Sequence, residues 1–152
     1  MKTVLITGAA SGLGWSLTQQ AFALGYRVVM VDINTGLLAR GADELAAQDS
    51  ARVTSRTVDI TDSEAVQALV KWLEKNEKSL DLLINNAGIT QRSLAEKTQM
   101  DVFTKVMAVD WQAPVELTIG CLPMLKKSRG GIINIGSMAG WMPVPGRAAY
   151  CA

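Results

Sequence analysis

The sequence predicts a doubly wound parallel α/β sheet with strand order 3-2-1-4-5, and three observations carry that prediction. Short continuous apolar runs such as Val4-Leu5-Ile6 suit parallel strands covered on both faces. Segments with helical periodicity alternate with these runs, as β-α-β units require. Polar breaks at Gly8 to Gly14, Asn85 to Gly88 and Gly136-Ser137 fall at strand ends, so right-handed crossovers put all of them on one rim.

The first strand, Val4 to Ile6, breaks into Thr7-Gly8-Ala9-Ala10-Ser11-Gly12-Leu13-Gly14, which reads as a dinucleotide-binding turn. Gly8 permits the tight turn, Gly12 lets backbone N–H groups approach a pyrophosphate, and Gly14 lets the next helix pack close to the strand. That helix is expected from Gly12 to Leu24, with Leu13, Leu17, Ala21 and Leu24 at helical spacing and Gly25 as its stop. Its N-terminus faces an anion. The second strand, Arg27 to Val31, ends in Asp32. A carboxylate roughly 20 residues past the turn accepts hydrogen bonds from an adenosine ribose and repels a 2′-phosphate, so NAD is expected over NADP. A P-loop is excluded, because no Gly-Lys-Ser/Thr follows Gly8 at the required distance.

Thr35 to Ala47 reads as a surface helix weakened by Gly36 and Gly41. Arg52 to Val58 alternates apolar or β-branched with polar residues, which predicts a third strand near the sheet edge, followed by Asp59. A helix starting at Thr61 or Asp62 carries Ala65, Val66, Leu69, Val70, Trp72 and Leu73 on one face, to about Asn76. Leu80 to Ile84 is the fourth strand, opening into Asn85-Asn86-Ala87-Gly88 where ligands bind in open sheets. Gln99 to Lys127 is helical but interrupted by Pro114 and Pro123, which predicts a kink near Asp110 to Pro114 or two abutting helices. Ile132 to Ile135 reads as a buried fifth strand with Gly136-Ser137 at its end, and Met138 to Arg147 as a loop. The four tryptophans and seven methionines are expected to be packing residues.

Composition narrows the function. At 152 residues the chain is read as one dinucleotide-binding domain. Lys plus Arg number 15 against 14 for Asp plus Glu, which gives no electrostatic case for nucleic acid or an anionic membrane surface. The expected partner is a small molecule. There is no histidine, and Cys121 and Cys151 form no CxxC pair, so no metal site and no secreted disulfide framework is expected. Met1-Lys2 leads straight into the first strand and no apolar run reaches about 18 residues, so a cytoplasmic location is expected.

With these motifs in order, the sequence resembles the short-chain dehydrogenase/reductase family along essentially its whole length. Thr7 to Gly14 is similar to that family's TGxxxGxG turn and Asn85 to Gly88 to its NNAG motif, while Ser137 and Tyr150 fall at its catalytic serine and tyrosine. The resemblance implies a Rossmann fold and a nicotinamide cofactor bound by Gly8, Ser11, Gly12, Leu13, Gly14 and Asp32. It further implies that Asp59 and Ile60 lie beside the adenine and that Asn86, Ala87 and Gly88 line the cofactor channel. The activity implied is hydride transfer to or from an alcohol or carbonyl substrate, in a family whose full-length members are homo-oligomeric. Two departures stand out. The family's YxxxK motif needs a lysine four positions after the tyrosine, and the sequence ends two positions after Tyr150. Asp110 stands where the family has an asparagine that holds a helix kink and a water of the proton relay.

Hydride transfer to a carbonyl needs a group that protonates the developing alkoxide, a second hydrogen bond to fix the oxygen, and a cofactor at the right distance. Tyr150 and Ser137 supply the first two, and Asp110 is the third candidate in the catalytic set, read primarily as a kink residue. Free phenols titrate near ~10, so the family's lysine and the cationic oxidised nicotinamide are what adapt the tyrosine to neutral pH. The chain is accordingly expected to be an N-terminal piece of a longer oxidoreductase. The alternative is a catalytically inactive nucleotide-binding or interaction domain.

Overall fold

The strand β1 (Thr3–Thr7) is buried along its whole length and runs between two parallel neighbours, β2 (Arg27–Asp32) and β4 (Leu82–Asn85). This computed structural model describes all residues, Met1–Ala152. With β3 (Val53–Thr57) beside β2 and β5 (Gly131–Asn134) beside β4, the sheet has five parallel strands in the order 3-2-1-4-5. Alternation along β1 separates two cores: Leu5 faces one with Val66, Leu69, Leu117 and Leu125, and Val4 and Ile6 face another with Phe22, Leu38 and Leu45. A strand apolar on both faces is what two helical layers demand.

Helices α1 (Gly12–Ala23) and α2 (Thr35–Asp49) cover one face; α3 (Ser63–Asn76) and the long helical region after β4 cover the other. The α3 helix starts on its cap: Asp62 accepts from the N–H groups of Glu64 and Ala65 at 2.9 and 3.2 Å. Its face is the expected one, with Val66, Leu69 and Leu73 buried.

Half of the expected α1 face is met, with Ala21 buried and Leu17 packed against the core, and half is not. Gly14, Thr18, Ala21 and Phe22 are buried, whereas Leu13 and Leu24 are 55% and 78% exposed. The reason is Gly14, where an added Cβ would lie 1.9 Å from the Gly8 carbonyl oxygen. Backbone-to-backbone contact there sets the rotation of the helix, and Leu13 and Leu24 follow it outward. Gly41, expected to weaken α2, is the point where that helix meets Trp15, whose ring a Cβ would approach to 2.8 Å.

The long region is one path: α4 (Met100–Met107), a wide π turn (Ala108–Gln112), then α5 (Ala113–Ser128). Pro114 sits in the first turn of α5, where a missing N–H is tolerated, and the π turn absorbs the change of register. Pro123 lies inside α5, one turn after Ile119, which is 62% exposed. The carbonyl it leaves without a partner is therefore on the solvent face.

Other expectations fail at the far edge. β5 is exposed, not buried: Ile132 and Ile133 are 40% and 45% accessible, and neither belongs to a core cluster. It is the last strand of the sheet, paired only with β4, so a run that reads as doubly covered has nothing across it. Of the methionines Met30 is fully buried, while Met1, Met100, Met138 and Met142 are exposed. Trp15 and Trp72 pack against the cores, but Trp111 and Trp141 are 60% and 80% exposed. The stretch read as a loop holds a short 3-10 turn (Met138–Gly140), and a final helical turn, α6 (Ala148–Cys151), follows it. Cys121 is a packing residue, its thiol pushed up to about 12 by burial and by Glu74. No helix is long and apolar enough to cross a membrane.

Candidate active site

The rim at the C-terminal strand ends is tied together by Thr7. Its hydroxyl accepts from the N–H groups of Asn86 and Ala87 at 3.0 and 3.1 Å and donates to the Ile84 carbonyl at 3.5 Å. The Asn86 amide in turn donates to the carbonyls of Thr7 and Gly8, at 2.9 and 3.3 Å. Gly8 has φ +63, and a Cβ on it would lie 2.9 Å from both Ala87 Cα and the Asn86 amide nitrogen. Two glycines thus allow turn, helix and β4 end to meet backbone against backbone. A buried threonine closing an apolar strand beside a glycine was the signal for Thr7, and the motif reading passed over it.

Asp32 closes the other side. One carboxylate oxygen accepts from Ala10 N–H at 3.0 Å and the other from Asn34 N–H at 2.9 Å, so the acid at the end of β2 also braces the glycine turn. The N–H groups of Ser11, Gly12, Leu13 and Gly14 have no acceptor within the protein, and the Ser11 side chain makes no cap. Gly12 has φ +53 with open space where a Cβ would stand. Four free amides at a helix N-terminus, with no side chain over them, fit the pyrophosphate of a dinucleotide.

Asp59 accepts from Thr61 through its hydroxyl at 2.7 Å and its N–H at 2.9 Å, which holds the Asp59 carboxyl below the usual range. Ser137 Oγ accepts from Ala139 N–H at 3.1 Å, leaving its own hydrogen free to donate. Tyr150 lies on α6 with its N–H on the side-chain oxygen of Gln91. The Asn85 amide donates to Thr118 Oγ1 and Asn134 Oδ1 at 3.0 and 2.8 Å, pinning β4 to α5 and to β5, three residues before Ser137.

Asp110 lies in the π turn, where one oxygen accepts from Ile89 N–H at 2.8 Å and the other is shielded from water without a partner. Burial pushes its carboxyl above the usual range, against the opposing pull of the Ile89 N–H. Because the folded protein holds this proton more tightly than the unfolded chain, the associated stability is complete below the ordinary value of ~3.9 and is lost as pH rises through the folded value. Asp110→Asn keeps an acceptor for Ile89 and removes the buried anion. It is expected to stabilise the protein at pH 7, the gain vanishing as the pH falls below the ordinary carboxylate value of ~3.9. Urea unfolding at both values checks this; a gain independent of pH would show that the carboxylate charge is not the cause.

All the residues singled out in the sequence except Gly12 line one cavity of about 1390 Å³. Gly8, Ser11, Leu13, Gly14, Asp32, Asp59, Ile60, Asn86, Ala87, Gly88, Asp110, Ser137 and Tyr150 all contribute to its lining. Its volume exceeds the ~300–1,000 Å³ of ordinary small-ligand pockets, as a dinucleotide together with a substrate requires.

A family model described as short chain dehydrogenase matches residues 2–152. Estradiol 17-beta-dehydrogenase 2 of Mus musculus is 36% identical over 99% of this chain and 40% of its own length. A dehydrogenase/reductase SDR family protein 7-like of Drosophila melanogaster is 38% identical over 99% of this chain and 48% of its own. Among solved structures, a short chain dehydrogenase/reductase from Burkholderia phymatum in complex with NAD superposes with a TM-score of 0.92 at 27% identity, covering 98% of this chain and 53% of that one. The chain thus spans about half the length of the relatives it matches. Sequence match, strand order and the convergence of the glycine turn with Asn86, Ser137 and Tyr150 agree: this chain belongs to the short chain dehydrogenase family.

Proposed function

We propose that residues 1–152 act as a dinucleotide-binding domain in an NAD-dependent oxidoreductase that interconverts an alcohol and a carbonyl compound. The observation that carries this reading is the shared cavity, which Ser11, Leu13, Gly14 and Asp32 line together with Ser137 and Tyr150. The amides of Ser11 to Gly14 hold the pyrophosphate, Asp32 takes the adenosine ribose, Asp59 and Ile60 flank the adenine, and Asn86 to Gly88 border the nicotinamide end. When bound, the nicotinamide accepts a hydride from the alcohol carbon or gives one to the carbonyl carbon. The Tyr150 phenol exchanges the proton on the substrate oxygen. The free hydrogen of the Ser137 hydroxyl fixes that oxygen, and its bond from Ala139 orients it. Asp110 holds the π turn against Ile89 and sets the distance between that turn and Gly88.

Cofactor choice tests the reading. The Asp32 carboxylate repels a 2′-phosphate, so NAD is expected to bind at least about tenfold more tightly than NADP. Asp32→Asn keeps one acceptor oxygen, for the Ala10 N–H, at the cost of the bond from the Asn34 N–H, loses the charge, and is expected to erase most of that ratio. Calorimetry with both cofactors decides it. Equal affinities in the unmutated protein would remove Asp32 from this role.

A further inference from the structure

The Tyr150 turn is short and makes no side-chain cap of its own: Arg147 stands at its N-cap position without one. The first amides of a helical turn have no partner within the helix and must find an acceptor elsewhere. The structure supplies one from a distant segment. Gln91 is buried, with only 6% of its surface accessible, and its side-chain oxygen accepts from Tyr150 N–H at 3.4 Å. No other donor reaches that oxygen, while the Gln91 amide nitrogen donates to the Ser93 carbonyl at 3.1 Å. Around it, Ser93 N–H donates to the Gly146 carbonyl at 3.0 Å, Ser93 forms a parallel bridge with Arg147, and the Arg147 guanidinium donates to Thr90 Oγ1. The same strap is fixed at its other end, where Ile89 N–H meets Asp110.

We propose that Gln91 is a positioning residue for Tyr150: it caps the helical turn that carries the phenol, from a strap anchored on the π turn at Asp110. This rests on the reading of Tyr150 as the proton-exchanging group. Gln91 touches no reacting atom in that reading. It acts through the backbone of Tyr150: with the acceptor removed, the Tyr150 N–H is left without a partner. A fluctuating turn would leave the phenol away from the oxygen it must serve.

The chain has two tyrosines, Tyr26 and Tyr150, so 3-fluorotyrosine labelling gives two fluorine resonances, assigned with Tyr26→Phe. In Gln91→Met, which fills the same space without an acceptor, the Tyr150 resonance is expected to move to the position seen in urea while that of Tyr26 stays. Gln91→Glu retains an acceptor oxygen and is expected to keep the Tyr150 resonance near its original place. An unmoved Tyr150 resonance in Gln91→Met overturns the proposal. So does a shift of both resonances together, which would make Gln91 a residue of the fold at large, and so does a Gln91→Glu protein that behaves like Gln91→Met. The readout needs no turnover, so a failure of the oxidoreductase reading would appear in the Tyr150→Phe assay and not here.

Discussion

Gly14→Val is expected to abolish NAD binding and to cost about 3 kcal/mol or more of stability. A Cβ at this position would lie 1.9 Å from the Gly8 carbonyl oxygen and 2.5 Å from the Asn86 amide nitrogen. Neither neighbour can retreat: the first is backbone of the turn, and the second donates to the Thr7 and Gly8 carbonyls. α1 must therefore lift off the turn, which moves the free amides of Ser11 to Gly14 and releases the tie between β1 and the end of β4. Gly12→Ala is the control. It forces a side chain into φ +53 but meets open space, so its stability cost is expected to stay near ~1 kcal/mol. Urea unfolding and calorimetry with NAD separate the two variants. A Gly14→Val protein that binds NAD with unchanged midpoint would mean that helix and turn are not in contact.

In the longer oxidoreductase of which residues 1–152 are proposed to be a domain, Tyr150→Phe is expected to lower NAD-linked oxidation of secondary alcohols by about 10² to 10⁴-fold, the usual contribution of one general acid–base group. Cofactor affinity should stay the same, because the ring remains and only the phenol oxygen is lost. The cofactor is expected to be gripped by the glycine turn and Asp32. A parallel loss of binding and turnover would make Tyr150 a binding residue. Turnover equal to that of the unmutated protein would assign the proton to another group, with Asp110 and Ser137 lining the same cavity.

The particular elements show why some of this was legible in the residues and some was not. β1 and α3 were readable because their information is local: an apolar run, a capping Asp62 and a face repeating at helical spacing specify the element and the side it buries. α1 misled because its orientation is set by a residue without a side chain. Hydrophobic periodicity cannot register the contact between Gly14 and Gly8, yet that contact outweighs the burial of Leu13 and Leu24. β5 misled for a related reason, since an Ile-rich run says what a strand would prefer to bury and not whether anything lies across it.

By itself the sequence determined the strand order, the glycine-rich turn after the first strand, and the set of polar breaks that share a rim, because each follows from patterns within a few tens of residues and from the handedness of crossovers. Only the tertiary structure decided how those pieces hold one another. The Thr7 clamp on Asn86 and Ala87, the bracing of Ala10 by Asp32, the partnerless oxygen of Asp110 and the Gln91 cap on Tyr150 join residues 22 to 80 positions apart, or depend on which atoms water reaches. Such contacts have no period and no spacing rule. They exist because packing two helical layers on one parallel sheet brings the strand ends together, and hydrogen bonds must then be satisfied among whatever groups meet there.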